Sequence, residues 1–397
     1  MKLRIEPVFL KGNCYLPASK SLSHRALIIA MLSRGINQLR GILHCDDTQA
    51  TLQVIEALGG HYHWQEDQLF LDSRQIHLES ARTLEVNASG STMRFMLPIL
   101  QTVGGVHRYH MHPSLARRTL AAYEPYFEMS RQQERLWVDG RLKAGEIMIE
   151  ASQSSQFVSG MLFALPLLDA PSRLVLQGEC VSVPYYEMTY QLLKEAGVSL
   201  TRQDARTFLI DPSNYHFHDG MLEGDWSAAA FIEAANFLGM SINILNRPTS
   251  LLQGDREIVR LLQQIRQGSC QMDVRDVPDL VPALALAMAL TPGHFELNHA
   301  ARLKDKESNR LESVAHELNA MGAKITVAPD GLSIEGVDHL HGAYVDAHQD
   351  HRIAMMLSIA ACLAQGETIL NGAECVAKSW PQYFTVFRQL GGKCDEC

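Results

Sequence analysis

The sequence predicts an α/β protein of two domains, built from six repeats of a strand-helix-strand-helix-strand-strand unit, three per domain. Three observations carry this. Ala/Leu/Met-rich segments with Ser-rich or Asp-led starts recur roughly every 50 to 70 residues. Between them lie short alternating runs and a second class of helix, more polar, with a single apolar stripe. Finally, 397 residues at 46% hydrophobic can bury more than one core.

The first apolar helix lies in PASKSLSHRALIIAMLSRG, residues 17–35. Ser19 or Ser21 can cap it and Gly35 stops it. Lys20, His24 and Arg25 crowd its first turn, where the helix dipole already disfavours cations. Such a turn is either a solvated basic surface or half of an anion site. The pattern recurs in GSTMRFMLPILQTVG from Gly90, SSQFVSGMLFALPLL from Ser154, DWSAAAFIEAANFLG from Asp225, PDLVPALALAMALTPG from Pro278 and DHRIAMMLSIAACLAQG from Asp350. Each is apolar around most of its girth and is expected to be buried, with Pro98 and Pro166 kinking or ending two of them.

Strands are expected in runs such as LRIEPVF, GHYHWQEDQLFLD, RLVLQGE, SLTRQDARTFLID, INILN, FELNH and AKITVAPDGLSIEG. The polar helices are expected in DTQATLQVIEALGG, VPYYEMTYQLLKEAGV, REIVRLLQQIRQGS and SNRLESVAHELNAMGA. No Pro/Ser-rich linker separates the halves. The domain boundary is expected before Asp225, with residues 1–18 and 225–397 in one domain and 19–224 in the other.

A net charge of −9 and a pI near 6.0 argue against nucleic-acid or anionic-membrane partners. The first residues lack a signal-peptide core, and the longest apolar run, around Leu280 to Leu290, is too short to span a bilayer. A soluble cytoplasmic protein is expected, with its eight scattered cysteines reduced. The terminal pair Cys394 and Cys397 is expected to be a frayed tail rather than a metal or redox site. Histidines recur at i, i+2 (His61/His63, His110/His112, His216/His218, His339/His341), a spacing that shares one face of a strand, but the pairs fall in different repeats and no metal site is expected.

Cations gather at or before the helix starts: Lys20, Arg25, Arg94, Arg117, Arg118, Lys306, Arg310, Arg352 and Lys378. Ser21, Ser154, Ser155, Gln156 and Ser182 add donors, and Asp279 and Asp305/Glu307 add carboxylates. Arginine binds phosphate and carboxylate bidentately, so the set suits one or two polyanionic substrates. No phosphate-binding G-x-x-x-x-G-K-[ST], dinucleotide G-x-G-x-x-G or nucleophile-elbow G-x-S-x-G is present. Taken singly, Asp279, Ser154 and Ser155 read more readily as helix caps, and Lys306, Glu307 and Arg310 as a surface ion-pair cluster.

Taken together, ten stretches in order resemble the EPSP synthase (3-phosphoshikimate 1-carboxyvinyltransferase) family over essentially the whole chain. They are PASKSLSHRA (17–26), SGSTMRF (89–95), RRT (117–119), SSQFVSG (154–160), SVPYYEMT (182–189), DWSAAAF (225–231), DVPDLVP (276–282), KESNRLE (306–312), DHRIAM (350–355) and AKSWPQYF (377–384). The resemblance implies a two-domain inverse α/β barrel-like fold with the active site in the cleft between the domains. It implies transfer of the enolpyruvyl group of phosphoenolpyruvate to the 5-hydroxyl of shikimate 3-phosphate, releasing phosphate, on the way to chorismate and the aromatic amino acids. A monomer without metal or organic cofactor is expected.

The resemblance also assigns roles. Lys20, Ser21, Arg25, Ser154, Ser155, Gln156, Ser182, Asp279 and Lys306 correspond to the shikimate 3-phosphate site. Lys20, Gly90, Arg118, Gln156, Arg310, Arg352 and Lys378 correspond to the phosphoenolpyruvate site. Asp279, Glu307 and Lys20 are the expected catalytic groups: Asp279 takes the hydroxyl proton, Glu307 stands beside the methylene carbon, and Lys20 touches both substrates. The chain departs from the family at Ala88, Thr119, Lys304-Asp305 and Asn309, none of which is a proposed catalytic group.

Two rival readings are weaker. UDP-N-acetylglucosamine 1-carboxyvinyltransferases carry a cysteine on a loop that corresponds to Gly104–Leu120, and this loop has none. A non-catalytic phospho-ligand-binding protein would need the cations but not the carboxylates, which repel phosphate.

Overall fold

The alternating runs pair in one recurring order. In residues 146–210, strand Glu146–Glu150 lies parallel to Ser172–Gln177, which pairs antiparallel with Thr207–Ile210, whose other neighbour is Leu200–Asp204. The same order appears in residues 83–139 and 270–335. A parallel pair needs a long crossover. In these three repeats the crossover is the apolar helix, which therefore sits between two parallel strands.

The computed structural model describes residues 1–79 and 83–397, and the chain divides into two units, Ala18–Leu222 and Met1–Pro17 with Glu223–Cys397. The first unit holds α1 (Lys20–Leu32), α2 (Asp46–Ala57), α3 (Gly90–Leu100), the single turn α4 (Pro113–Ala116), α5 (Ser155–Ala164) and α6 (Val183–Glu195). The second holds α7 (Trp226–Phe237), α8 (Ile258–Arg266), α9 (Val281–Ala289), α10 (Arg310–Ala320), α11 (His351–Leu363) and α12 (Tyr383–Gln389). Each unit has its own apolar core. Leu27, Met96, Phe157 and Leu162 are fully enclosed in the first, and Phe231, Leu284, Leu311 and Met356 in the second. Every residue of α9 is buried, as its lack of a polar face requires.

The repeat is not uniform. Strand Lys2–Glu6, from the beginning of the chain, pairs antiparallel with both Thr368–Asn371 and Lys393–Glu396, and so takes the place that a later strand takes in the other repeats. This corrects the expected frayed tail: Cys394 is buried in strand Lys393–Glu396, and only Cys397 is exposed. The second helix of the 83–139 repeat shrinks to α4, and the α7 repeat sends strand Ser241–Ile244 to pair with Lys11–Cys14. Pro98 is accommodated inside α3, whereas Pro166 converts the end of α5 into a 3-10 turn, Leu165–Leu167. All eight cysteines are free, and no described helix is long and apolar enough to cross a membrane.

Candidate active site

In the first unit, the sequence motifs meet where the helices begin. Ser19 stands at the N-cap of α1 without a side-chain cap bond. Lys20 opens the helix, with its Nζ 3.0 Å from Asp47 Oδ2 on α2. Arg25, 3% exposed, is held by neutral groups: its Nε donates to Thr189 Oγ1 (2.8 Å), and its terminal nitrogens donate to the carbonyls of Ser21 (2.7 Å) and Tyr185 (2.7 Å) and to Ser159 Oγ (3.4 Å). Burial lowers its pKa to about 9, still charged at neutral pH. Hydroxyl contacts His24–Thr51 (2.8 Å), Thr51–Thr92 (2.7 Å) and Thr92–Ser89 (2.7 Å) join the N-terminal halves of α1, α2 and α3 in one buried chain.

Gly90, the first residue of α3, explains its own identity. A Cβ there would lie 3.2 Å from Arg118 Nη1, 3.5 Å from Arg94 Nη1 and 3.6 Å from Gln156 Oε1. Gln156 accepts from Arg94 Nη1 (2.6 Å) and donates to Ser91 Oγ (2.9 Å). Arg94 also lies over the Phe157 ring, 4.9 Å from its centroid. Ser154 caps α5 by accepting from the Gln156 N–H, and Ser155 is that helix's buried first residue. Ser182, buried, holds a left-handed backbone (φ 51°) before α6. Such strain in a non-glycine residue persists only where the surroundings enforce it.

In the second unit the cations meet carboxylates. Arg310, the first residue of α10 and 1% exposed, donates to Asp350 (2.9 Å), Asp279 (2.8 Å) and Glu307 (2.8 Å). Burial pushes its pKa down, but Asp350, Glu307 and Asp279 more than reverse this and leave it raised. Arg352 takes the other oxygen of Asp279 (2.9 Å), and Lys306 Nζ lies 3.9 Å from the first. Burial pushes the Asp279 pKa up, yet Arg352, Lys306 and Arg310 hold it well below the usual carboxylate range. Burial lowers Lys306 to about 8 against the pull of Asp279, although 30% of its side chain remains exposed. Lys378, 8% exposed, ends the 3-10 turn Ala373–Lys378, which packs on α11.

Asp279 therefore lies in a 3-10 turn before α9 and is an ion-pair partner, not a side-chain cap. Lys306, Glu307 and Arg310 are no surface cluster, because the guanidinium at their centre is enclosed. Three carboxylates escaped the sequence reading. Asp350 caps α11 through the Arg352 N–H while its other oxygen meets Arg310, so the Asp that leads DHR was the available signal. Asp47 pairs with Lys20. Asp255 is 2% exposed and accepts from the Ser227 hydroxyl; burial, with Asp279 nearby, raises its pKa to about 6.

Residues 6–387 match the EPSP synthase (3-phosphoshikimate 1-carboxyvinyltransferase) family. A 3-phosphoshikimate 1-carboxyvinyltransferase of Clostridium beijerinckii is 36% identical, with 99% of this chain and 98% of the relative covered, and one from Clostridioides difficile is 34% identical at the same coverage. The fold is that of EPSP synthase from Acinetobacter baumannii, with a TM-score of 0.80 over 100% of both chains at 20% identity. With the match spanning nearly every repeat, and with full-length relatives above a third identical, the chain belongs to the EPSP synthase family.

Proposed function

We propose that this enzyme transfers the enolpyruvyl group of phosphoenolpyruvate to the 5-hydroxyl of shikimate 3-phosphate, giving 5-enolpyruvylshikimate 3-phosphate and phosphate, in aromatic amino-acid biosynthesis. The observation that carries the reading is the placing of Asp279 between Arg310 and Arg352, with Glu307 on the same guanidinium. A phosphate-binding module gains nothing from half-buried carboxylates at 14–17% exposure. A reaction in which a hydroxyl loses a proton while a carbon gains one needs them.

In this reading Lys20, Ser21, Arg25, Ser154, Ser155, Ser182 and Lys306 hold shikimate 3-phosphate, while Gly90, Arg118, Arg310, Arg352 and Lys378 hold phosphoenolpyruvate. Lys20 and Gln156 serve both. With Arg352, Lys306 and Arg310 holding its pKa well below the usual carboxylate range, Asp279 is a weak base in this arrangement. The donor's carboxylate and phosphate recruit Arg310 and Arg352, which releases Asp279 towards ordinary basicity as the 5-hydroxyl arrives. Glu307 exchanges the proton at the methylene carbon, with Lys20 sharing the acid role, and the elimination that follows returns that proton as phosphate departs. Each fixed charge facing the developing cation or the departing phosphate contributes about 3–4 kcal/mol. The enzyme works as a cytoplasmic monomer without a cofactor.

The test is phosphate release from phosphoenolpyruvate with shikimate 3-phosphate or UDP-N-acetylglucosamine as acceptor. Release with shikimate 3-phosphate alone is expected. Release with the nucleotide sugar alone would overturn the acceptor. Silence with both, alongside thermal stabilisation by shikimate 3-phosphate, would leave only a binding protein.

A further inference from the structure

Away from these reacting groups, α10 carries a second cluster two turns beyond Arg310. His316 Nδ1 lies 2.9 Å and His348 Nε2 lies 2.6 Å from the same oxygen, Glu317 Oε1. One ligand atom from each of the three residues lies within 4.8 Å of the others, and this is the single His/Cys/Asp/Glu group of its kind among the described residues. The sequence gives little sign of it, since none of the recurrent i, i+2 histidine pairs contributes.

The arrangement is built rather than incidental. The Glu317 side chain is 3% exposed, and its other oxygen is fixed by the Asp346 N–H at 3.0 Å. Asp346 in turn accepts from the His348 N–H (2.6 Å) and from Asn371 Nδ2 (2.6 Å). His348 and Gln349 both hold left-handed backbone, φ 52° and 55°, conformations that cost free energy in residues with a side chain. This turn aims the His348 ring back at α10, while His316, 76% exposed, closes from the solvent side. Two imidazoles and an oriented carboxylate are a three-ligand set with an open position for water. Ligand bonds of about 2.0–2.2 Å require ligand atoms roughly 3.3 Å apart. Each imidazole nitrogen therefore draws back from Glu317 Oε1 by less than about 1 Å, and all three ligand atoms already lie within 4.8 Å of one another.

We propose that His316, Glu317 and His348 bind a divalent transition-metal ion of the zinc class, fastening the turn 346–350 to α10. Imidazole with carboxylate selects that class over magnesium or calcium, which prefer all-oxygen sites. The turn leads directly into Asp350, and α10 begins with its partner Arg310. The ion thus braces both sides of that pair without touching either. Its role is structural or regulatory, separate from the reaction chemistry.

The test uses the purified full chain, stripped with a chelator and dialysed against Co2+ or Zn2+. One Co2+ per chain is expected, without the intense near-ultraviolet band of thiolate ligation. His316→Ala and His348→Asn should each weaken binding at least about tenfold, and the double variant should lose the stoichiometric site. Asn tolerates the left-handed backbone at position 348, so that variant keeps the turn. Saturating Zn2+ should raise the melting temperature of the wild type by roughly 4 °C or more and leave the double variant unmoved. Absence of stoichiometric binding in the wild type, or unchanged binding in the double variant, overturns the proposal; the second result would place the ion on other surface histidines or cysteines.

Discussion

Arg25 and Arg310 are both enclosed guanidiniums near the starts of helices, yet their surroundings are opposite. Arg310 touches three carboxylates, and its charge is more than balanced within its own unit. Arg25 is held by hydroxyls and carbonyls, so its hydrogen bonds are satisfied while its charge is not. The same contrast runs through the two units: Asp279, Glu307, Asp350 and Asp255 crowd the second, whereas Asp47 is the carboxylate paired with Lys20 in the first. Self-neutralised cations set the protonation of their carboxylate partners. A cation on a neutral scaffold, such as Arg25, is left with a charge that an anionic substrate would balance, which is the role proposed for it.

The sharpest way to break this comparison is to remove each guanidinium. Arg310→Met strands three carboxylates around one site, and a stability loss of about 3–5 kcal/mol in urea unfolding is expected. Arg25→Met leaves only neutral acceptors, so a loss of about 1–2 kcal/mol is expected, with shikimate 3-phosphate affinity the larger casualty. Equal losses would dissolve the distinction.

A smaller effect separates charge from proton transfer. Burial lowers Lys306 to about 8, so its ammonium is present below that pH and disappears as pH rises through it. Affinity for shikimate 3-phosphate should fall along the same limb, and Lys306→Arg, which stays charged, should shift the limb upward. A limb that stays in place would assign it to another group. Smaller again is Gly90→Ala. The new methyl would stand 3.2 Å from Arg118 Nη1, and a several-fold rise in KM for phosphoenolpyruvate is expected with little change in stability.

The smallest effect concerns Asp255. Its folded pKa, raised to about 6, means that this carboxyl's contribution to stability is complete below its unfolded value near 4 and is lost as pH rises through 6. Asp255→Asn removes that loss. The melting temperature of the variant relative to wild type should therefore be higher at pH 7.5 than at pH 4.5, and a difference independent of pH would show that the carboxyl does not titrate there.

What was legible in the sequence follows from range. Period and capping residues act within one element, so the apolar helices, their polar starts and the hairpins could be read directly. Arg25 could be seen as a cation without a local counter-charge, but not as the partner of Thr189, 164 residues away. Arg310 could be placed beside Glu307 by helical spacing, whereas Asp350 is 40 residues on and needed the fold. Strand Lys393–Glu396 looked like a tail because its partner lies at the other end of the chain. Glu317 joins two histidines that no periodicity links.

The measurement that bears most directly on the central claim is the separation of binding from turnover in Lys20→Met, Asp279→Ala and Glu307→Gln, using shikimate 3-phosphate titration and steady-state rates. Each variant should lower turnover at least about 100-fold. Glu307→Gln should keep the wild-type affinity for shikimate 3-phosphate within a few-fold, whereas Lys20→Met should lose affinity as well. Near-normal turnover in Glu307→Gln, or collapse of its shikimate 3-phosphate binding, would contradict the assignment of proton transfer to the carboxylates of the second unit and of anion capture to the cations of the first.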